Sequence, residues 1–233
     1  MELPRIASRD EWLAARMAFQ AQEDEAADVL ARLSEARHNL PMVEITTDYT
    51  FDTPDGPKSL LDLFDGRTQL IVYHFMYGPD WDAACPVCSF NVDNLGDLTH
   101  LRANDTNFVV ISRAPLEKLQ AWKERMGWTF PWVSAANTTF NQDFFTSLDG
   151  TQDPVNYMYK SKAELDQIGD WYFTNGEQGG TSVFVRDGDR VFQTFSSYFG
   201  KLDITNGLVN YLDLTPRGRD NMKLEYHDSY PAE

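Results

Sequence analysis

The spacing of hydrophobic and polar residues changes several times along the chain, and each change predicts a different element. Residues 70–76 and 107–112 have almost continuously apolar centres, which is typical of central strands covered on both faces of a sheet. After the first run, residues 88–104 carry apolar side chains at helical spacing. After the second, a helix is expected to begin at Pro115 and to end at Gly127, because these residues favour helix starts and stops.

The C-terminal half predicts a hairpin followed by a last helix. Two strand-like runs, residues 182–186 and 190–195, are joined by the turn sequence Asp187-Gly188-Asp189. Residues 202–214 then predict a closing helix that stops before Pro216. Two strands linked through a helix predict a parallel pair with a right-handed crossover, and the hairpin adds antiparallel strands. We therefore expect an α/β fold with a central mixed sheet flanked by helices.

The flanking segments predict additions to this unit. Helical stripes cover residues 11–19 and 29–33, residues 43–51 alternate like a strand, residues 58–64 suggest a short helical turn, and residues 128–134 suggest another strand. The predicted organisation is an N-terminal helical arm (residues 1–40), a domain (residues 41–216) with an irregular insertion (about residues 137–180), and a polar C-terminal tail (residues 217–233).

Composition and charge restrict the partners and the compartment. The chain has 233 residues, of which 42% are hydrophobic, so a globular domain is expected. Its formal charge of -16 disfavours nucleic acid and anionic membranes as partners, because phosphates would be repelled. The longest apolar run has about eight residues, and the first residues lack a basic segment followed by an apolar one. We therefore expect a cytoplasmic protein that contacts neither nucleic acid nor membrane.

The main candidate for chemistry is Cys85-Pro86-Val87-Cys88, which contains the only two cysteines of the chain. The motif follows a predicted strand and opens a predicted helix, the position that thioredoxin-like proteins use for redox chemistry. A helix N-terminus lowers the pKa of a thiol, so Cys85 is the predicted nucleophile and Cys88 the resolving thiol. Asp80 and Asp82 would act in the opposite direction if they faced the sulfur. The alternative is a pair of inert buried thiols.

Several longer matches extend this motif to a family. The chain resembles the thioredoxin-like bacterial family DUF899 over most of its length. The resemblance is carried by Tyr73-His74-Phe75-Met76, Cys85-Pro86-Val87-Cys88-Ser89-Phe90 and Arg125-Met126-Gly127-Trp128-Thr129-Phe130-Pro131-Trp132-Val133-Ser134. It implies a thioredoxin-like fold, and it implies no particular reaction. Residues 51–56 also resemble peroxiredoxins, but the Pro-x-x-x-Thr-x-x-Cys loop that peroxide reduction needs is missing here.

Two departures from thioredoxin bear on substrate binding. Thioredoxins place a tryptophan directly before the first cysteine, whereas this chain has Ala84 there and Trp81 earlier. They also place a cis-proline opposite the motif, where this chain has Gly179-Gly180-Thr181-Ser182. These differences put general reduction of protein disulfides in doubt and make metal binding easier. The candidate substrate-binding residues are Trp81, Thr181 and Arg113, the last because it follows the second strand.

A metal site and a binding module are the alternatives to thiol-disulfide exchange. Two thiolates suit copper or zinc, and His74, on the strand before the motif, is the candidate third ligand with Cys85 and Cys88. Zinc would need two further ligands, for which His74 and His100 are the candidates. The other roles expected are a satisfied core histidine for His74 and a surface or helix-end residue for His100. The oxidoreductase hypothesis needs no cofactor, only a thiol or disulfide partner. In the third hypothesis the acidic surface and the helical arm mediate association, and the arm could pack on a second subunit of a homodimer.

Overall fold

The structure, a computed structural model, describes residues 4–151, 157–167, 174–198, 203–220 and 222–231. The strands are β1 (Val43–Ile45), β2 (Thr50–Phe51), β3 (Lys58–Ser59), β4 (Gln69–His74), β5 (Thr106–Ser112), β6 (Trp132–Ser134), β7 (Ser147–Asp149), β8 (Asn175–Glu177), β9 (Gly180–Asp187) and β10 (Arg190–Tyr198). The helices are α1 (Arg9–His38), α2 (Pro86–Asp93), α3 (Thr99–Ala103), α4 (Leu116–Arg125), α5 (Phe140–Asp143), α6 (Lys162–Gln167) and α7 (Gly207–Asp213).

The main sheet has the order β1-β10-β9-β4-β5-β6. Strands β4, β5 and β6 run parallel, and β9 pairs with β4 in the antiparallel direction. Tyr73 lies opposite Thr181 across the β4–β9 pair. The predicted parallel pair and hairpin are therefore confirmed, and the mixed α/β architecture is the expected thioredoxin-like fold. Two small antiparallel pairs, β2–β3 and β7–β8, lie outside this sheet.

The central strand separates two hydrophobic clusters, because side chains alternate along a strand. On β4, Leu70 and Val72 belong to a cluster that also includes Phe140 and Phe184. Tyr73, on the opposite face, belongs to the cluster that contains both cysteines. Burial on both faces explains why this strand is almost continuously apolar. The cysteine-bearing face of the sheet is the one that bears on function.

The N-terminal arm is one continuous helix, where the sequence predicted two stripes. Ser8 and Glu11 form a capping box that fixes the start of α1. None of the α1 residues is buried, and several large apolar side chains of the helix are exposed, among them Trp12 and Phe19. Within the described ranges, no helix combines the length and the apolar character that crossing a membrane requires.

Several predicted elements are shorter or divided in the structure. The predicted strand at residues 43–51 is split into β1 and β2, and the predicted turn at residues 58–64 consists of β3 and the 3-10 helix Asp62–Phe64. The predicted helix over residues 88–104 is divided into α2 and α3 by a segment that contains Gly96. Strand β6 covers only the end of the stretch predicted at residues 128–134. A local pattern of residues does not show where the chain changes direction, so the predicted boundaries of these elements were wrong.

The insertion and the last helix also differ from expectation. Residues 137–180 contain α5, β7, α6 and β8 among the described residues, so the segment is less irregular than predicted. Helix α7 begins at Gly207, where Asn206 caps it, whereas the sequence placed the start at residue 202. Residues 199–202 lie outside the described residues.

Candidate functional site

Cys85 lies at the junction between the long loop after β4 and the first turn of α2. It is the N-cap residue of α2, and its Sγ accepts the backbone N–H of Cys88 at 3.4 Å. Pro86 occupies the first helical turn, where its missing N–H costs no helical hydrogen bond. The sulfur therefore takes the place that a serine or aspartate oxygen usually occupies at a helix start. This is the predicted position of the motif.

Backbone contacts hold both cysteines against the end of β4. The Cys85 N–H donates to the Met76 carbonyl at 3.1 Å, and the Met76 N–H donates to Cys88 Sγ at 3.5 Å. These bonds close the intervening loop, residues 77–84, at its base. Both thiols are free; Cys85 is 9% exposed and Cys88 only 2% exposed. Cys85 is thus the more exposed of the two cysteines.

The two thiols differ in acidity in the direction that thiol-disulfide exchange needs. A hydrogen bond from the Cys88 thiol, aided by the backbone N–H groups of Cys88 and Val87, lowers the pKa of Cys85 to about 7. Burial raises the pKa of Cys88 well above its usual value. Asp80 and Asp82 are not among the groups that shift the Cys85 pKa. Burial and, to a smaller extent, the Asp82 carboxylate raise the pKa of Tyr77.

Gly179 lies against the buried sulfur of Cys88. A Cβ built at Gly179 would lie 3.9 Å from Cys88 Sγ and 3.7 Å from Met76 Sδ. Gly179, in the segment that takes the place of the thioredoxin cis-proline, therefore faces the motif. With glycine at this position, the backbone approaches the dithiol without a side chain over it.

The C-terminal tail covers the loop before Cys85, which the sequence did not predict. The Tyr226 hydroxyl donates to the carbonyl of Ala84, and the Tyr226 ring packs on Trp122 with centroids 5.2 Å apart. Arg125 fastens the tail through two hydrogen bonds to Asp228, at 2.8 and 3.0 Å. Tyr226, one of two tyrosines in a largely polar tail, was the only signal for this contact.

Arg113 is held by a buried carboxylate. Its Nη1 lies 2.9 Å from Glu177 Oε1 and 2.6 Å from Ser147 Oγ. Burial raises the pKa of Glu177, although Arg113 acts against this rise. The Glu177 side chain also lies close to Gly78 in the loop before the motif. Substrate binding by Arg113 stays a prediction, and its present contacts are structural.

Trp81 and Thr181 lie on different elements, the first in the loop before Cys85 and the second on β9. Trp81 lies in the loop before Cys85, with its indole next to Gly78. Thr181 follows the glycine pair on β9 and lines a cavity of about 600 Å3 together with Arg37, Phe195 and Ile204. Trp81 is thus close to the motif in the chain, whereas Thr181 is brought towards it by the pairing of β9 with β4. A substrate-binding role for either remains a prediction.

His74 is not brought to the cysteines. Its Nε2 lies 2.9 Å from Ser182 Oγ and its Nδ1 lies 3.0 Å from Thr146 Oγ1. The ring stacks on Phe140, a member of the cluster on the other face of the sheet. Burial lowers the pKa of His74 to about 3.

The expected third metal ligand is therefore engaged elsewhere. His100 lies on α3 and is exposed. Among the residues that the structure describes, no group of three or more His, Cys, Asp or Glu side chains could hold a metal ion. Cys85 and Cys88 remain the only candidate ligands at the motif.

Two solved structures are similar to this chain at low sequence identity. Peroxidoxin BcpB from Mycobacterium tuberculosis is similar, at 17% identity and a TM-score of 0.46, with 68% of this chain and 85% of that chain covered. Peroxiredoxin Q from Xanthomonas campestris is similar at 14% identity and a TM-score of 0.46, with 69% and 86% covered. Such low similarities say nothing about the reaction. No curated protein matches the chain.

The family described as "Bacterial protein of unknown function (DUF899)" matches residues 1–230, which is nearly the whole chain. The matched region includes the helical arm, the sheet, the Cys85-Pro86-Val87-Cys88 motif and most of the tail. The chain therefore belongs to the DUF899 family.

Proposed function

We propose that this protein is a thiol-disulfide oxidoreductase in which Cys85 attacks and Cys88 resolves. The observation that carries the proposal is the position of Cys85 Sγ as the cap of α2, where it accepts the backbone N–H of the buried Cys88 at 3.4 Å. A pKa of about 7 makes a large fraction of Cys85 thiolate at neutral pH, and the thiolate is the nucleophile in thiol chemistry.

The reaction consists of two exchanges that balance in atoms and electrons. The Cys85 thiolate attacks a disulfide R–S–S–R′, a Cys85–S–S–R bond forms, and R′–S⁻ leaves. Cys88 then attacks Cys85 Sγ, the bond to R breaks, and R–SH leaves with the proton that Cys88 gives up. The two cysteines are oxidised by two electrons and the substrate disulfide is reduced. An external dithiol restores the reduced protein.

A pair of matched variants tests the two assignments. Cys85→Ser and Cys88→Ser remove one sulfur each from the same helical turn, and glutathione disulfide serves as the probe. We expect the wild type to form a reversible intramolecular disulfide, Cys88→Ser to accumulate one glutathione per chain, and Cys85→Ser to react at most slowly. Mass spectrometry of alkylated samples distinguishes these products.

The pH dependence and the metal content provide independent checks. The alkylation rate of Cys85 should reach half of its maximum near pH 7, as its pKa of about 7 requires. Equal reactivity of both single variants would contradict the assigned roles. A stoichiometric content of copper or zinc, lost from the double cysteine variant, would favour the metal-binding hypothesis instead.

A further inference from the structure

The C-terminal tail is held on the protein by side chains. Residues 222–231 form neither helix nor strand, and within the described part of the chain none of their backbone groups bonds to the backbone of the sheet, α2 or α4. Met222, Leu224 and Tyr226 are half-buried, whereas the residues between them are exposed. Such alternation is typical of an extended segment that lies on a surface. The tail therefore resembles a bound peptide more than a part of the core.

Tyr226 is the anchor of the tail. Its hydroxyl donates to the carbonyl of Ala84, the residue directly before Cys85, and its ring makes a T-shaped contact with Trp122. Trp122 in turn packs on Tyr77, in the loop before the motif, with ring centroids 5.8 Å apart. The aromatic side chain of the tail thus joins α4 to the loop that leads to the nucleophile.

Arg125 recognises two groups of the tail at once. Its Nε and Nη2 donate to the two carboxylate oxygens of Asp228 at 2.8 and 3.0 Å, the paired geometry with which arginine recognises carboxylates. The same guanidinium lies 5.2 Å from the centroid of the Tyr226 ring and 4.5 Å from that of Trp122. One arginine therefore contacts an aromatic ring and a carboxylate that lie two residues apart in the tail.

A third contact joins the tail to the end of α2. His227 Nδ1 lies 2.8 Å from Asp93 Oδ1, which also accepts the Trp128 indole N–H at 2.7 Å. The polar contacts of the tail are accessible to solvent: the side chains of Arg125 and Asp228 are 41% and 32% exposed. Exposed ion pairs contribute little net stability, so the tail can leave this surface without opening the core.

The surface under the tail, formed by Ala84, Asp93, Trp122 and Arg125, which we call the tail seat, contains an unsatisfied donor. Trp122 is 8% exposed, and its Nε1 has no hydrogen-bond acceptor among the described residues. A buried donor without an acceptor is destabilising, and the tail covers this indole without supplying one. A peptide that placed a carbonyl or carboxylate oxygen there would gain a hydrogen bond that the tail does not make.

We propose that the tail seat is a peptide-binding site and that the tail is its resident occupant. The ligand is a segment with an aromatic side chain and, two residues further along, a carboxylate, as in Tyr226 and Asp228. Because the seat includes the carbonyl directly before Cys85, the segment belongs to the substrate whose disulfide Cys85 attacks; this assignment rests on the proposed function. The bound peptide carries R: the Cys85–S–S–R bond forms and R′–S⁻ leaves.

Fluorescence anisotropy of a labelled peptide with the sequence of residues 222–231 measures binding to the seat. Tyr226→Ala in the full chain removes the anchor, so this variant should bind the peptide. The wild type should bind it at least about tenfold more weakly, since its own tail competes at a high effective concentration. Tyr230→Ala is the matched control, because the Tyr230 hydroxyl bonds to Glu225 and Lys223 within the tail, and it should behave as the wild type.

Recognition of the two side chains is tested on both partners. In the Tyr226→Ala background, Arg125→Gln should weaken binding about tenfold, because hydrogen bonds to a charged group are lost. Arg219→Gln should leave binding unchanged, since it removes a similarly exposed arginine that makes two hydrogen bonds to Asp213. Peptides with Tyr226→Ala or Asp228→Ala should also bind about tenfold more weakly. These peptides leave the protein unchanged, so they decide the question even if Arg125→Gln fails to fold.

A disulfide-bearing peptide tests whether the ligand is a substrate. The peptide carries Glu225→Cys, directly before the anchor, as its glutathione disulfide. It should oxidise the dithiol of the Tyr226→Ala protein at least about tenfold faster than the same concentration of glutathione disulfide, because binding raises the local concentration of the disulfide. Arg125→Gln should remove this advantage. Mass spectrometry of alkylated samples follows the intramolecular disulfide.

The outcomes separate this inference from the proposed function. If the wild type forms no intramolecular disulfide, the oxidoreductase proposal and the substrate assignment are overturned, while anisotropy still decides the peptide site. If the disulfide forms but Tyr226→Ala binds no peptide, or binds all the peptides equally, the peptide site is overturned. Specific binding without faster oxidation would overturn the substrate assignment. A wild-type dimer that Tyr226→Ala converts to a monomer in light scattering would identify the tail of a second copy as the occupant and would overturn a peptide partner.

Discussion

His74 should make the stability of this protein depend on pH between about 6.5 and 3. The ring is 1% exposed, both of its nitrogens contact hydroxyls, and burial lowers its pKa from 6.5 to about 3. The folded state therefore resists protonation at a pH where the unfolded state accepts a proton. Stability is largest above pH 6.5 and is lost as the pH falls from 6.5 towards 3.

The size of the effect follows from this difference in pKa. Each pKa unit corresponds to about 1.4 kcal/mol, and pH 5 lies about 1.5 units below the pKa of the unfolded state. The free energy of unfolding should thus fall by about 2 kcal/mol between pH 7 and pH 5 because of His74 alone. Total stabilities are about 5 to 15 kcal/mol, so the loss is easily measured. Protonation of Glu177, whose pKa is raised by burial, acts in the opposite direction.

Urea denaturation of wild type and His74→Gln at both pH values measures the contribution. Glutamine keeps a donor and an acceptor for the Ser182 and Thr146 hydroxyls but does not titrate, so the variant should lose most of the pH dependence even if it is less stable overall. His100→Gln removes an exposed histidine and should retain the wild-type difference. The reasoning is refuted if His74→Gln shows the same fall between pH 7 and pH 5 as the wild type.

Three further predictions concern the surroundings of the dithiol. Gly180→Ala should lower the free energy of unfolding by about 1 to 3 kcal/mol, because its Cβ would lie 3.2 Å from the Ser197 carbonyl oxygen. The control is Gly179→Ala, whose Cβ meets only ordinary contacts. Equal losses for the two variants in urea denaturation would contradict this prediction. Deletion of residues 222–231 should speed alkylation of Cys85 severalfold, since the tail covers the loop before it; an unchanged rate would mean that the tail does not shield the thiol. Deletion of residues 4–39 should leave the urea midpoint nearly unchanged, because no α1 residue is buried. A much lower midpoint, together with a change from dimer to monomer in light scattering, would show instead that the arm packs on a second copy of the chain.

Local pattern was sufficient for the central part of the fold. The runs that became β4 and β5 were recognisable because strands covered on both faces must be apolar throughout. The hairpin β9–β10 was recognisable from its turn sequence. The motif could be placed at the start of α2 because Pro86 fits only the first helical turn. These features depend on neighbours within a few residues, which the sequence shows directly.

Boundaries and partners depended on contacts that the sequence does not show. The break between α2 and α3 was missed because apolar side chains recur at helical spacing on both sides of it. The pairing of Arg113 with Glu177 joins residues 64 positions apart. His74 was expected near the thiols, but the alternation of side chains along β4 turns it to the opposite face from Tyr73.

The sequence by itself determined a thioredoxin-like α/β chain with a two-cysteine motif at a strand-to-helix junction. Only the tertiary structure decided what surrounds the two sulfurs. The contact of Tyr73 with Asn91, the orientation of that amide by Asn206 and the cover provided by Tyr226 all join residues far apart in the chain. Hydrogen bonds of this kind are set by how the elements pack, and no local spacing of residue types encodes them.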